Sequence, residues 1–85
     1  MNHEIIISPN AFKDLEKIYK KDKLNYKRIK EGINEIKKNP YKSNLMKYYL
    51  KGTRKIRKGD YRIIFDISDK DVTILVIMPR KKEYK

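Results

Sequence analysis

The chain has 85 residues and no cysteine, and its 23 lysines and arginines outnumber its 11 acidic residues to give a net charge of +12. This length suits a single domain over residues 1–85, and the lack of cysteine excludes disulfides and thiolate metal sites and favours a cytoplasmic location. No apolar run approaches the roughly 20 residues that cross a bilayer and no signal peptide is recognisable, so we expect no membrane contact.

The chain begins with a predicted strand and a predicted helix. Three successive isoleucines within residues 3–7 favour a strand. Ser8 and Pro9 are typical of the N-cap and the first position of a helix, which we expect to end near Lys21. The apolar face of this helix is marked by Phe12, Leu15 and Ile18.

A second helix is predicted between a break at Asp22 and Lys23 and a stop at Asn39, because the residue before a proline is pushed out of the α region. We expect the two helices to form an antiparallel hairpin with one apolar face on a sheet, and their many lysines to be solvated. The apolar stripe of the second helix comprises Tyr26, Ile29, Ile33 and Ile36.

The C-terminal half predicts an irregular connection followed by three strands. The connection covers residues 41–50, where Tyr48 and Tyr49 are expected to fill the core. The strands are expected at about 53–58, 61–67 and 72–78. These elements predict an α+β fold, in which an N-terminal strand and an antiparallel two-helix hairpin pack on a sheet completed by three C-terminal antiparallel strands.

A two-residue turn at Gly59 and Asp60, where glycine supplies the positive φ, fixes the pairing of the flanking strands. Counting outward from that turn sets Arg57 opposite Arg62 and places Lys55 on the same face, because side chains alternate along a strand. The other face then carries the core residues Ile56, Ile63 and Phe65.

Two opposed arginines are costly, since like charges across a strand pair destabilise a sheet by about 0.2–1 kcal/mol. A bound phosphate relieves that repulsion, and arginine presents several N–H donors to it. The pattern therefore favours an anion site and, with the net charge, a nucleic-acid partner. Two alternatives stay open: solvated cations that protect a sheet edge from aggregation, and a general lysine bias of the genome or of a thermophile's surface.

The residues for other common chemistries are missing. His3 is the only histidine, so a two-histidine nuclease mechanism is excluded. Asp66, Asp69 and Asp71 cluster near a turn predicted at residues 68–71, where aspartate is common, so we expect neither a metal nor another cofactor. Any catalysis must then rest on lysine, arginine and tyrosine.

The stretch from Leu50 to Phe65, LKGTRKIRKGDYRIIF, resembles the signature of the RelE/ParE toxin superfamily. The ending from Pro79 to Lys85, PRKKEYK, resembles the arginine-and-tyrosine ending of its RelE branch, especially of archaeal members. The order of one strand, two helices and three strands also matches the RelE-like microbial ribonuclease fold, so the likeness covers essentially the whole chain.

The resemblance implies the toxin of a type II toxin–antitoxin system. RelE-type toxins cut mRNA in the ribosomal A site without a metal, with the RNA 2′-hydroxyl as nucleophile, and thereby inhibit translation. A RelB-like antitoxin, expected to be acidic and helical, would be the protein partner. Two alternatives remain: a ParE-like inhibitor of DNA gyrase, and a non-catalytic member that binds only its antitoxin or nucleic acid.

The resemblance also assigns residue roles. Lys55 matches a phosphate-contacting position, Arg62 would stabilise the phosphorane, Arg80 would donate to the leaving oxygen, and Tyr84 would stack on or orient the substrate. Arg57 stands where family members have a lysine proposed as general base, and arginine is a poor base because it stays protonated. Either Lys55 is the base or catalysis is mainly electrostatic and positional. Further RNA contacts are expected from Lys51, Arg54, Lys58, Lys81 and Lys82.

Overall fold

A computed structural model describes residues 3–45 and 52–79, which form two helices on one face of a mixed sheet. The helices are α1 (Pro9–Lys21) and α2 (Lys23–Lys38), followed by a short 3-10 turn (Pro40–Lys42). The strands are β1 (Glu4–Ile7), β2 (Asn44–Leu45), β3 (Arg54–Lys58), β4 (Tyr61–Ser68) and β5 (Asp71–Pro79).

The strands lie in the order β1-β5-β4-β3-β2. β1 runs parallel to β5, and the remaining neighbours are antiparallel, so the predicted α+β architecture is confirmed. The expectation of an irregular connection after α2 was wrong in part, because Asn44 and Leu45 pair with β3 and the 3-10 turn precedes them. Tyr48 and Tyr49 lie outside the described residues.

Polar caps place the two helices. The Ser8 hydroxyl accepts a hydrogen bond from the Ala11 N–H at 3.1 Å and donates to the Leu75 carbonyl at 2.9 Å, so one residue starts α1 and ties it to β5. Asp22 serves both helices: its N–H donates to Ile18 and its carboxylate accepts from the Asn25 N–H at 3.1 Å. A single residue therefore makes the sharp reversal between α1 and α2.

The core fills the space between the helices and the sheet. The helices contribute Ala11, Ile18, Ile29 and Ile36, and the sheet contributes Tyr61, Ile63, Phe65, Val72, Ile74 and Ile77. Burying each isoleucine side chain stabilises the fold by about 1.5–3 kcal/mol. Phe12 was wrongly expected on this face. Since the buried stripe of α1 follows Ala11 and Ile18, the ring of Phe12 is rotated away and is 56% exposed.

Neither helix in the described part of the chain is long and apolar enough to cross a membrane.

Candidate functional site

The β3–β4 hairpin has the register that the sequence predicts. Arg57 pairs with Arg62, Ile56 with Ile63 and Lys55 with Ile64. Gly59 has a φ of 58°, which a two-residue turn of this kind requires at its first corner. A slip of one residue would have exchanged the two faces, so the confirmed register is what brings the three cations together.

The close approach of α2 identifies the two faces of this hairpin. A Cβ added to Gly32 of α2 would lie 3.1 Å from Ile63 and 3.2 Å from Ile56, so both isoleucines point toward the helices. Lys55, Arg57 and Arg62 alternate with them and therefore point to the other side. We call these three residues the cationic cluster and their side of the sheet the open face.

Burial differs sharply within the cationic cluster. Arg57 is exposed, Lys55 is half-buried, and Arg62 is 9% exposed and engaged in a further interaction within the protein. Ile64 and Met78, which flank Arg62 on the open face, are also buried. Buried apolar side chains lower the local dielectric, so an anion beside Arg62 interacts with its guanidinium more strongly than it would at a solvated surface.

Two other cations expected at the site lie on the helix side instead. The Arg54 guanidinium donates to the Ser43 carbonyl at 2.9 Å and lies 5.3 Å from the centre of the Tyr41 ring. Lys58 forms an ion pair with Glu35 of α2. Both side chains are therefore separated from the cationic cluster by the sheet itself.

The remaining five predicted site residues lie outside the described residues: Arg80, Tyr84, Lys51, Lys81 and Lys82. Within residues 3–45 and 52–79 no group of histidine, cysteine and acidic side chains is arranged to hold a metal. His3 packs edge-on against Tyr41, with 6.2 Å between the ring centroids, beside the end of α2. The described part of the site is thus built from lysine and arginine.

A buried asparagine that the sequence analysis missed holds the hairpin turn in place. The Asn25 side chain is 5% exposed, donates to Asp60 at 3.2 Å and to Asp22 at 2.6 Å, and accepts from the Asp60 N–H at 3.1 Å. A Cβ at Gly59 would clash with the side-chain oxygen of Asn25. Because Asp60 follows Asn25 by 35 residues, no local spacing in the sequence reveals this contact.

The pKa values of Asp22 and Tyr61 are both shifted, for different reasons. Hydrogen bonds from the Asn25 side chain and backbone lower the pKa of Asp22. Burial raises the pKa of Tyr61, and the nearby carboxylates of Asp22 and Asp60 add to that rise. Tyr61 therefore stays a neutral phenol at the base of the hairpin, directly after the turn.

Comparison with known proteins places this geometry among bacterial and archaeal toxins. A family model described as the ParE toxin of the type II toxin–antitoxin system, parDE, matches residues 5–84. A search of curated proteins finds no match.

Solved structures resemble the whole fold. The YoeB dimer from Staphylococcus aureus is 24% identical, with 99% of this chain and 100% of that chain covered and a TM-score of 0.79. The RelBE2 complex from Mycobacterium tuberculosis is 22% identical, with 94% and 100% covered and a TM-score of 0.79. The RelE–RelB complex from Pyrococcus horikoshii is 26% identical, with 98% and 100% covered and a TM-score of 0.70.

Proposed function

This chain belongs to the ParE toxin family of type II toxin–antitoxin systems, and we propose that it is a ribosome-dependent mRNA endoribonuclease, as its resemblance to the RelE branch of the RelE/ParE superfamily implies. It cuts RNA without a metal and so inhibits translation in the cytoplasm. The observation that carries the proposal is the pairing of Arg57 with Arg62 on the open face, beside Lys55.

The proposed reaction is an intramolecular transesterification. The RNA 2′-hydroxyl oxygen attacks the adjacent phosphorus, the bond from phosphorus to the 5′-oxygen breaks, and a 2′,3′-cyclic phosphate remains. Negative charge builds on the phosphoryl oxygens in the transition state. Guanidinium groups fixed by a sheet stabilise that charge without reorganising, which is the main source of rate in preorganised sites.

Arg62 suits the role of the fixed donor because its surroundings are buried, and Arg57 suits the approach of a solvated substrate because it is exposed. Lys55 neutralises a neighbouring phosphate or accepts the 2′-hydroxyl proton. By their resemblance to the family, Arg80 would donate to the leaving 5′-oxygen and Tyr84 would stack on a base. Arg54 and Lys58 contribute through the fold, since their described contacts are with Ser43, Tyr41 and Glu35.

An acidic, helical antitoxin of the RelB or YefM kind is the proposed protein partner. Structures similar to this chain include RelBE2 and YoeB–YefM complexes. A net charge of +12 on 85 residues also produces self-repulsion, which a negative partner offsets.

Purified protein added to translating ribosomes tests the nuclease proposal. We expect codon-dependent cleavage of mRNA, and a loss of about 10²–10³-fold for Arg62→Ala. Because Arg62 is buried, circular dichroism and thermal melting must accompany the assay. Lys70→Ala, which removes one exposed cation from the β4–β5 turn, is the charge-matched control and should cleave normally. A folded Arg62→Ala protein with full activity would refute the site.

A second function is favoured by one finding, the match to a family described as ParE toxins. A ParE-like protein would inhibit DNA gyrase through protein contacts and leave RNA intact. A supercoiling assay separates the two functions: inhibition of gyrase with uncut mRNA favours the ParE-like function. In a non-catalytic member, the arginine substitutions would leave any growth arrest unchanged.

A further inference from the structure

A buried polar side chain joins α2 to the tip of the β3–β4 hairpin. Asn25 lies in the first turn of α2 and is 5% exposed. Its side-chain oxygen accepts a hydrogen bond from the Asp60 N–H at 3.1 Å, and its amide group donates to the carboxylates of Asp60 and Asp22. The other buried residues of α2 have apolar side chains or none, so Asn25 is the polar exception on this helix face.

Stability alone does not require an amide at this position. Replacing both partners of a buried hydrogen bond by apolar groups of the same shape is often nearly neutral for the free energy of unfolding. A satisfied buried amide instead favours one geometry, because a shift of its partners leaves a costly donor or acceptor unpaired. Asn25 therefore restricts where the turn at Gly59 and Asp60 lies relative to α2.

The turn that Asn25 holds lies directly beside the arginine pair of the cationic cluster. Lys58 and Tyr61 flank the turn, and the next pair along the hairpin is Arg57 with Arg62. Since one residue of a strand spans about 3.3 Å, the arginine pair lies only that far beyond the pair that flanks the turn. A displacement of the turn relative to α2 therefore displaces the two guanidinium groups as well.

Pairing within the sheet supports the two arginines unequally. β2 pairs with β3 at Arg54 and Lys55, and its register runs away from the turn, so no strand within residues 3–45 and 52–79 lies outside Arg57. Arg62 lies between two strands, because β4 also pairs with β5 and sets Arg62 opposite Met78. The position of Arg57 thus depends on β4 and on the turn, and it is the more sensitive of the two to the Asn25 contact.

A second contact between α2 and the hairpin tip is looser. Lys58 pairs with Glu35, whose side chain is 60% exposed. An exposed ion pair is screened by solvent and joins two long side chains, so it restrains the backbone weakly. Asn25 has a short, buried side chain that bonds directly to the backbone of the turn, and this contact sets the position of the tip.

We propose that Asn25 is a positioning residue of the cationic cluster, which fixes the separation of Arg57 and Arg62 through the backbone of the turn. Its role in RNA cleavage rests on the proposed function. Asn25 lies on the helix side of the sheet and acts only through the arginines. Guanidinium groups stabilise a transition state when they are preorganised, and a misplacement of about 1 Å costs about 10²-fold in rate.

Asn25→Leu tests the proposal in single-turnover cleavage on translating ribosomes. Leucine keeps the branching of the side chain and the burial of the site but removes the bonds to the turn. The cleavage rate at saturating protein should fall by about 10²-fold. Affinity for a non-cleavable 2′-O-methyl RNA should change by less than about threefold, because every cation is kept and phosphate contacts dominate affinity. A full cleavage rate, or a loss confined to affinity, overturns the proposal.

Three further variants separate positioning from a general loss of stability. Asn25→Ala, which adds no larger group, should show the same split between rate and affinity and replaces Asn25→Leu if that variant does not fold. Val72→Ala destabilises the core near the opposite end of β4, where Val72 pairs with Ile67, and should keep the wild-type rate. Asn34→Leu makes the same change on the exposed side of α2 and should also cleave normally. Equal losses of rate for Val72→Ala and the Asn25 variants would refute positioning.

Nuclear magnetic resonance of the arginine side chains measures the positioning in the free protein, without RNA or ribosomes. In Asn25→Leu the Nε–H signal of Arg57 should shift or broaden more than that of Arg62, whereas Val72→Ala should leave the Arg57 signal in place. An Arg57 signal that is the same in Asn25→Leu and the wild type contradicts the proposal.

The two measurements distinguish failure of this proposal from failure of the proposed function. If the wild type does not cleave mRNA, the nuclease function is refuted, and the Arg57 signal alone decides whether Asn25 positions the cluster. If the wild type cleaves and Asn25→Leu does so at the same rate, the nuclease function stands and the positioning role is refuted.

Discussion

The two sides of β3 carry cations in alternation but use them differently. On the helix side, Arg54 donates to Ser43 and lies over Tyr41, and Lys58 pairs with Glu35. On the open face, Lys55 and Arg57 form no ion pair with any residue in the described ranges, and Arg57 faces a second arginine. Internal contacts thus occupy Arg54 and Lys58 on one side and leave the charges of Lys55 and Arg57 on the other side for a ligand, a distinction that a net charge alone does not make.

The difference between the two sides of β3 is tested most strongly by comparing substitutions of two neighbouring residues in that strand. Arg57→Ala should lower the single-turnover cleavage rate by about 10²-fold, because it removes a donor from the transition state. Lys58→Ala removes the same charge from the helix side and should leave the rate unchanged, with a stability loss of about 0–1 kcal/mol. Equal losses of cleavage would show that total charge, and not the face, governs the activity.

The next largest expected effect is a loss of stability when the turn that fixes the register of β3 and β4 is altered. Gly59→Ala should destabilise the protein by about 1–3 kcal/mol or more, since the new Cβ adds a clash with Asn25 to the cost of a positive φ. Gly52→Ala is the control: Gly52 has a φ of 92° with nothing within 4 Å of its Cβ position, so only the backbone cost applies. Urea unfolding compares the two variants, and a smaller loss of stability for Gly59→Ala would contradict the close contact between Asn25 and the turn.

Asn25→Ala tests the same contact from its other partner, the residue on α2. It removes the acceptor of the Asp60 N–H and the donor to two carboxylates, so we expect a loss of about 1–3 kcal/mol in urea unfolding. Asn34→Ala, on the exposed side of the same helix, is the control and should cost much less. Similar losses for both would mean that the hairpin turn does not depend on Asn25.

Salt dependence offers a finer test of the contrast. For binding to a non-cleavable 2′-O-methyl RNA, Arg57→Ala should reduce the slope of log K against log salt by about 0.7, the value for one phosphate contact on a single strand. Lys58→Ala should leave the slope as it is. An equal reduction in both variants would indicate diffuse attraction instead of a defined contact.

The smallest expected effect is the pH dependence of the helix junction. The pKa of Asp22 is lower in the folded protein than in the unfolded chain, so its ionised form stabilises the fold at neutral pH. That contribution declines as the pH falls below the unfolded-state pKa and is lost below the folded-state pKa. Urea midpoints of the wild type and Asp22→Asn should therefore converge in acid; a constant gap would contradict the assignment.

Most of the fold follows from local signals in the sequence. Ser8 and Pro9 start α1, Asn39 and Pro40 end α2, and the turn at Gly59 fixes the strand register. Counting along that register was enough to place Arg57 against Arg62. The same alternation implies that Arg54 and Lys58 point to the other side of the sheet, so the RNA contacts predicted for these two residues stay a prediction.

Local sequence patterns do not predict contacts between distant parts of the chain. The two-residue strand β2 forms because β3 offers it an edge, and such a short strand has no periodicity of its own. Phe12 is apolar and helical, yet its exposure depends on where the sheet sits relative to α1. Asn25 looks like an ordinary helical polar residue until Asp60 meets it from the hairpin.

The most direct test of the account is nuclear magnetic resonance of the arginine side chains during titration with the non-cleavable RNA. The Nε–H signals of Arg57 and Arg62 should shift saturably with RNA, while that of Arg54, on the same hairpin but the opposite side, should stay in place. If Arg54 shifts as much as the other two, or if Arg57 and Arg62 do not respond, the open face is not the phosphodiester site.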